Sequence, residues 1–253
     1  MMTGVYGKSF YESQGPGSLS SARAILKTLN DTLSPKSVVD VGCGIGTWLK
    51  AWFELGVDDV FGIDGDYVSR DQLLIPIDRF MPMDLSAPTK FSRRFDLVES
   101  LEVAEHLPHA SAEDFVSFLC SLGSVVLFSA AVPGQGGTNH INEQWPEYWV
   151  GIFQRQGFVL IDTLRDCIWN NPDIEYWYCQ NVVLFVRAEC TAILEQLKNI
   201  ASNTEPRCLS RVHPRMWLAA LAAKEQAPGL RALLKMFPKS LAAAVRRRLQ
   251  WTA

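Results

Sequence analysis

From Val38 onward, short β-branched and apolar runs alternate with stretches of helical periodicity, the pattern of a parallel sheet with helices on both faces. Strands are predicted at Ser37 to Val41, Asp59 to Ile63, Phe95 to Ser100, Ser124 to Ser129, Phe158 to Arg165 and Asn181 to Val186, with a shorter one at Met81 to Met83. Helical segments are predicted at Ser20 to Leu33, Thr47 to Leu55, Ala112 to Leu122 and Glu143 to Gln156, the last stopped by Gly157. After Arg187 the pattern changes to Ala/Leu-rich helical sequence broken at Pro206, Pro214, Pro228 and Pro238. The expected organisation is therefore an α/β domain over residues 1–190 and a helical C-terminal extension over residues 191–253.

Composition narrows the class. With 48% hydrophobic and 20% charged residues in 253, the chain can bury a core, which excludes a disordered or collagen-like polymer. The longest apolar stretch, Val125 to Val132, is interrupted by Ser129 and is too short for a membrane span, and the opening MMTGVYGKSFYESQGPG has no signal-peptide core. A cytoplasmic protein is expected. The six cysteines form no C-x-x-C pair, which argues against a zinc knuckle or a redox motif. Net charge is −3, but all the acids precede Gln226, and the last 28 residues hold six Lys or Arg. An acidic body predicts no DNA partner and opposes an RNA footprint. The basic tail, with Arg246, Arg247 and Arg248, reads first as a solvated or body-packed helix. Its second reading is a peripheral contact with an anionic inner-membrane surface.

The most specific chemistry lies in Val39-Asp40-Val41-Gly42-Cys43-Gly44-Ile45-Gly46, a buried strand running into a tight glycine turn and a helix start. Glycine is needed where φ is positive or where a Cβ would collide with a ligand, and the helix that follows offers free N–H groups. Glycines alone would fit a ligand-free turn equally well. Asp64, at the end of the next strand, is placed to accept both hydroxyls of a ribose, and Asp84 follows the third strand. A dinucleotide site would want Gly-x-Gly-x-x-Gly, and here the third glycine comes one residue early.

These motifs together resemble the class I S-adenosylmethionine-dependent methyltransferases over residues 20 to 187. The resemblance implies a Rossmann-like seven-stranded sheet whose last strand is antiparallel. It implies that Asp40, Gly42, Cys43, Gly44 and Gly46 hold the methionine part of S-adenosylmethionine. Asp64 and Gly65 would take the ribose, Asp84 and Leu85 the adenine, and Ser100 and Leu101 would lie at the end of the fourth strand beside the cofactor.

Following that strand, Glu102, Glu105 and His106 would share one side if the segment is helical. A capped, buried turn is the alternative, because Glu-x-x-Glu-His is widespread in metal-free methyltransferases. After the fifth strand, the glycine-rich loop Gly134 to Trp145 carries His140 toward the same point. Two carboxylates and two imidazoles would suit Mg²⁺, Mn²⁺ or Fe²⁺. Without metal, His106 or His140 would be the general base. The segment is similar to that of small-RNA 2′-O-methyltransferases and ubiquinone-pathway O-methyltransferases.

Trp145, Trp149 and Phe153 recur at helical spacing and read as core before sugar platform. Tyr148, and Trp169 to Asp173 with Tyr176, Trp177, Tyr178, Gln180 and Asn181, offer polar handles suited to sugar hydroxyls or to a packed loop. His-x-Asn-Glu-Gln-Trp with Trp-Tyr-x-Gln-Asn resembles bacterial methyltransferases associated with glycan biosynthesis. The expected reaction is methyl transfer to a small-molecule or glycan hydroxyl. RNA 2′-O-methylation and non-catalytic S-adenosylmethionine binding are the alternatives.

Overall fold

The computed structural model describes residues 8–198 and 208–225, so the basic tail, including Arg246 to Arg248, lies outside the described residues. By compactness the chain divides into Met1–His213 and Pro214–Ala253. In the second unit the described element is helix α8 (Pro214–Glu225).

The first unit is built on a seven-stranded sheet: β1 (Ser37–Val41), β2 (Asp59–Asp64), β3 (Phe80–Pro82), β4 (Leu97–Leu101), β5 (Val125–Ser129), β6 (Phe158–Ile161) and β7 (Val183–Arg187). Their order is β3-β2-β1-β4-β5-β7-β6. The first five strands run parallel, and β7 inserts antiparallel between β5 and β6. Strands β4 and β5 are buried at every position, as expected of a parallel sheet covered on both faces. The reversal between β1 and β4 opens a crevice at the carboxyl ends of the strands, where ligands of such sheets bind.

Helices α1 (Lys8–Leu33) and α2 (Thr47–Glu54) pack together on one face, and α3 (Ala112–Leu122) and α4 (Pro146–Arg155) on the other. Trp149 and Phe153 are core residues, with Phe153 stacked on Phe185 at 3.8 Å. Beyond the boundary expected near Cys190, α7 (Thr191–Lys198) packs on α1 and β6 and buries Leu197. Among the described residues no helix is long and apolar enough to cross a membrane.

Three expectations are corrected by specific side chains. The strand expected over Phe158 to Arg165 stops at Ile161, and α5 (Leu164–Ile168) follows. Arg165 is fully buried; its guanidinium pairs with Asp162 and donates to the carbonyls of Gln180 and Leu209, which an extended chain would not allow. Asn181 ends α6 (Tyr176–Asn181) instead of opening a strand, because its amide is drawn toward Glu102. Helix α4 starts at Pro146, a residue suited to the first helical position, and not at Glu143, whose carboxylate is engaged in the preceding loop.

Candidate functional site

The loop after β1 turns sharply through Gly42, Gly44 and Gly46, all at positive φ. At Gly42, with φ +91°, an added Cβ would lie 2.3 Å from a Val103 methyl, so the close approach of this loop to the β4 loop requires glycine. Asp64, at the end of β2, is buried and braces the same loop. Its carboxylate accepts from the N–H of Gly44 at 2.7 Å, from the N–H of Gly65 at 2.5 Å and from the Tyr67 hydroxyl at 2.6 Å. Burial raises its pKa, and these three donors counter the rise.

Two cavities open onto the loop. One, of about 820 Å³, is lined by Asp64, Gly65, Tyr67, Asp84, Leu85 and Ile141 among others. Asp84 is exposed and accepts from the N–H and hydroxyl of Ser86, which hold its carboxyl below the usual range. The second, of about 340 Å³, reaches from Asp40, Cys43 and Leu101 across to Glu105, His140 and the aromatic group Tyr176, Trp177 and Tyr178. Gly42, Gly44, Glu102 and His106 line both. Gly46 and Ser100 stand behind the walls: a Cβ on Gly46 would meet Ile75, and Ser100 is buried and donates its hydroxyl to the Val41 carbonyl.

The Glu-Glu-His segment is not a helix. Glu102 has φ +56°, and a 3₁₀ turn spans Ala104–His106. Glu102 therefore leaves the face expected for it. Its carboxylate accepts from Gln135 Nε2 at 2.7 Å and Asn181 Nδ2 at 3.0 Å, and its N–H donates to Ser129. Gln180, fully buried, joins the network by donating to Asn181 Oδ1 and accepting the N–H of His213. These amides hold one another and Glu102, which is the packed loop of the two readings the sequence offered.

Glu105, His106 and His140 do converge, with a ligand atom from each lying within 4.8 Å of the others. The two imidazoles meet edge to face, ring centroids 4.8 Å apart. Glu105 is fully buried, and neither carboxylate oxygen has a hydrogen-bond partner among the described residues. Burial, reinforced by Glu102, pushes its pKa well up, only partly offset by the nearby amides of Glu105 and Ala131. Burial and the neighbouring His140 push His106 down to about 4. The loop is pinned here by its backbone, since the N–H groups of Ile141 and Asn142 both donate to the Glu105 carbonyl.

Glu143 is the functional neighbour that spacing alone did not single out. Its carboxylate lies 3.0 Å from His140 Nδ1 and accepts from the N–H groups of Gly134 and Gly136, both at 2.8 Å. Partial burial opposes its charge, but these donors win and keep its pKa low. A lasting carboxylate at Nδ1 selects the tautomer with the proton there, leaving Nε2 as an acceptor. The signal was present in His-x-x-Glu, but only the loop fold shows that the glutamate turns back onto its own histidine.

A profile described as a methyltransferase domain matches residues 11–159, more than half of the chain. The chain belongs to this methyltransferase domain family. Among solved structures it is similar to the S-adenosylmethionine-bound amino pentose methyltransferase CalS10 of Micromonospora echinaspora. The TM-score there is 0.52 at 14% identity over 71% of this chain and 95% of that one. DesVI of Streptomyces venezuelae gives 0.51 at 15% identity, with 73% and 97% covered. The magnesium protoporphyrin IX methyltransferase ChlM of Synechocystis PCC 6803, bound to S-adenosylhomocysteine, gives 0.50 at 19% identity, with 68% and 83% covered. At these identities the likeness is one of fold. No curated protein matches the chain.

Proposed function

We propose that this methyltransferase moves the methyl group of S-adenosylmethionine to a hydroxyl of a small-molecule or glycan acceptor. The observation that carries this reading is the shared wall of the two cavities at Gly42, Gly44, Glu102 and His106, with the Glu105–His106–His140 group at that wall. The larger cavity suits the adenosine, with Asp64 toward the ribose hydroxyls and Asp84 and Leu85 beside the adenine. The methionine part would follow the glycine loop, its carboxylate toward the free N–H groups at the start of α2 and its ammonium toward Asp40. The sulfonium then lies near His106.

In-line displacement forms the acceptor O–CH₃ bond as the S–CH₃ bond breaks, and the sulfonium leaves as a neutral thioether. The hydroxyl proton goes to a ring nitrogen of His106 or His140. His106, with its pKa near 4, is neutral at physiological pH. His140 has its acceptor nitrogen fixed by Glu143.

A second reading rests on the two unpartnered oxygens of Glu105. One carboxylate and two imidazoles form a donor set that suits Mn²⁺ or Fe²⁺ better than Mg²⁺, and such an ion would lower the pKa of a bound acceptor hydroxyl. Glu102, held by Gln135 and Asn181, would stand outside that set.

Calorimetric titration with S-adenosylmethionine tests the donor half, and radiolabelled methyl incorporation into small-molecule extract tests the transfer. Absence of S-adenosylmethionine binding by folded protein defeats the proposal outright. Binding without incorporation into any acceptor leaves a non-catalytic binding module.

A further inference from the structure

Every charged side chain among the described residues lining the smaller cavity, histidines aside, is an acid: Asp40, Glu102 and Glu105. The larger cavity adds Asp64, Asp66 and Asp84, and no described lysine or arginine lines either. Enzymes that take phosphorylated or carboxylated substrates place cations where the anion sits, because an unpaired anion leaving water meets a steep desolvation cost. Here an acceptor anion would find no counter-charge among the described residues. The one anion that the donor brings, its methionine carboxylate, has the backbone N–H groups of the first turn of α2 to meet it. Among the described residues no lysine or arginine lines the part of the cavity where the acceptor would sit.

That far end is aromatic. Tyr176 and Trp177 are half-buried, packed edge to face at 5.0 Å, and line the cavity together with His140 and the Gly136–Thr138 stretch. Tyr178 is fixed behind them, 5.0 Å edge to face from Trp48, whose indole N–H donates to Ser18. Aromatic faces gain by covering the C–H surface of a ring while its rim stays polar. An ammonium acceptor fits less well, since burial shifts the carboxyls that line this cavity, Asp40, Glu102 and Glu105, toward the neutral acid, which pairs poorly with a cation.

We infer that the acceptor is an uncharged polyhydroxylated ring, seated on Tyr176 and Trp177 with one hydroxyl turned toward His106 and His140. The inference rests on the methyl-transfer reading given above. The chemistry is that of the same step: an O–C bond forms, an S–C bond breaks, and the hydroxyl proton passes to an imidazole nitrogen. Phosphate, carboxylate or ammonium near the reacting end would weaken turnover.

The test uses purified full-length protein, S-adenosylmethionine labelled in its methyl group, and the small-molecule ultrafiltrate of a cell extract, with labelled products separated on anion- and cation-exchange resins. The expected result is label that passes through both resins. Label retained on the anion exchanger overturns the uncharged acceptor while leaving methyl transfer intact, and label retained only on the cation exchanger does the same in favour of an amine. Protein that binds S-adenosylmethionine and labels no fraction overturns the enzymatic reading together with this inference. With the neutral acceptor in hand, Trp177→Ala should raise its KM about tenfold more than it lowers kcat, with S-adenosylmethionine affinity held within twofold. An unchanged KM in a folded variant removes Trp177 from the acceptor site.

Discussion

His106 and His140 come from loops after different strands, β4 and β5, yet their rings meet edge to face with centroids 4.8 Å apart. Two different devices hold them there. The 3₁₀ turn Ala104–His106 sets the first, and the Glu143 carboxylate, itself clamped by Gly134 and Gly136, sets the second. His140→Ala should therefore lower kcat by about 10²-fold or more while leaving S-adenosylmethionine affinity intact, as expected for loss of a group that handles a proton in the chemical step. Single-turnover kinetics with the identified acceptor would check this, and full activity would take His140 out of the reaction.

Chelation separates the two ways of using this pair. If Glu105, His106 and His140 hold Mn²⁺ or Fe²⁺, exhaustive treatment with a chelator should abolish turnover without lowering S-adenosylmethionine affinity, and the ion should restore it. If His106 is a metal-free base, the chelator should be harmless. With its pKa near 4, the imidazole gains its proton only below that pH, so kcat/KM should be flat from pH 5 to 7 and fall tenfold per unit below about 4.

Asp64→Ala should weaken S-adenosylmethionine binding by about 1.5 to 3 kcal/mol, the cost of removing a charged acceptor of hydroxyl hydrogen bonds. The structure adds a second consequence. The carboxylate also receives the Gly44 and Gly65 amides and the Tyr67 hydroxyl, so the glycine loop should loosen in the unliganded variant. Calorimetry and amide hydrogen exchange of the Gly42–Gly46 stretch report the two effects independently. Unchanged affinity would remove Asp64 from the site.

Gly42→Ala adds a single methyl, and should still cost about 1–3 kcal/mol of stability, because it combines a positive φ with a clash against Val103. Urea unfolding gives the stability loss. The same variant, with Val103 pushed into the shared wall of the two cavities, should also bind S-adenosylmethionine more weakly. Val103→Ala in that background should recover part of both losses if the clash is their cause.

Regular periodicity made the parallel core legible: β1, β2, β5, α2 and α3 fall within a residue or so of the positions their apolar pattern predicts. The glycine loop and Asp64 were legible because backbone geometry demands particular residue types there. What the pattern could not show depends on contacts between distant segments. Arg165 ends a strand because it finds Asp162 and the carbonyl of Leu209. Glu102 leaves the Glu-Glu-His face because Gln135 and Asn181, 33 and 79 residues away, capture its carboxylate. Helical spacing placed Glu102, Glu105 and His106 together and the loop after β5 added His140, but a single left-handed residue at Glu102 separated it from the other three.

The buried pair Asp40 and Glu99 gives a prediction about stability that does not depend on the acceptor. They are register neighbours on β1 and β4, both buried, and Glu99 accepts from the Trp52 indole through one oxygen while the other has no partner. Burial lifts Glu99 to about 8, and burial with the nearby Glu99 charge lifts Asp40 well above its usual range. A carboxyl with a raised folded-state pKa binds its proton more tightly folded than unfolded. Its contribution is fully present below about pH 4.5, where an unfolded glutamate titrates, and is lost as pH rises through about 8. Unfolding free energy should therefore decline across that window by an amount on the order of 5 kcal/mol from Glu99. Glu99→Gln keeps an acceptor for Trp52 and removes the ionisation, so this part of the decline should vanish and the variant should be the more stable form at pH 9. Urea midpoints of both proteins at pH 5, 7 and 9 measure this. Parallel pH dependence in wild type and variant would show that Glu99 does not change its ionisation on folding.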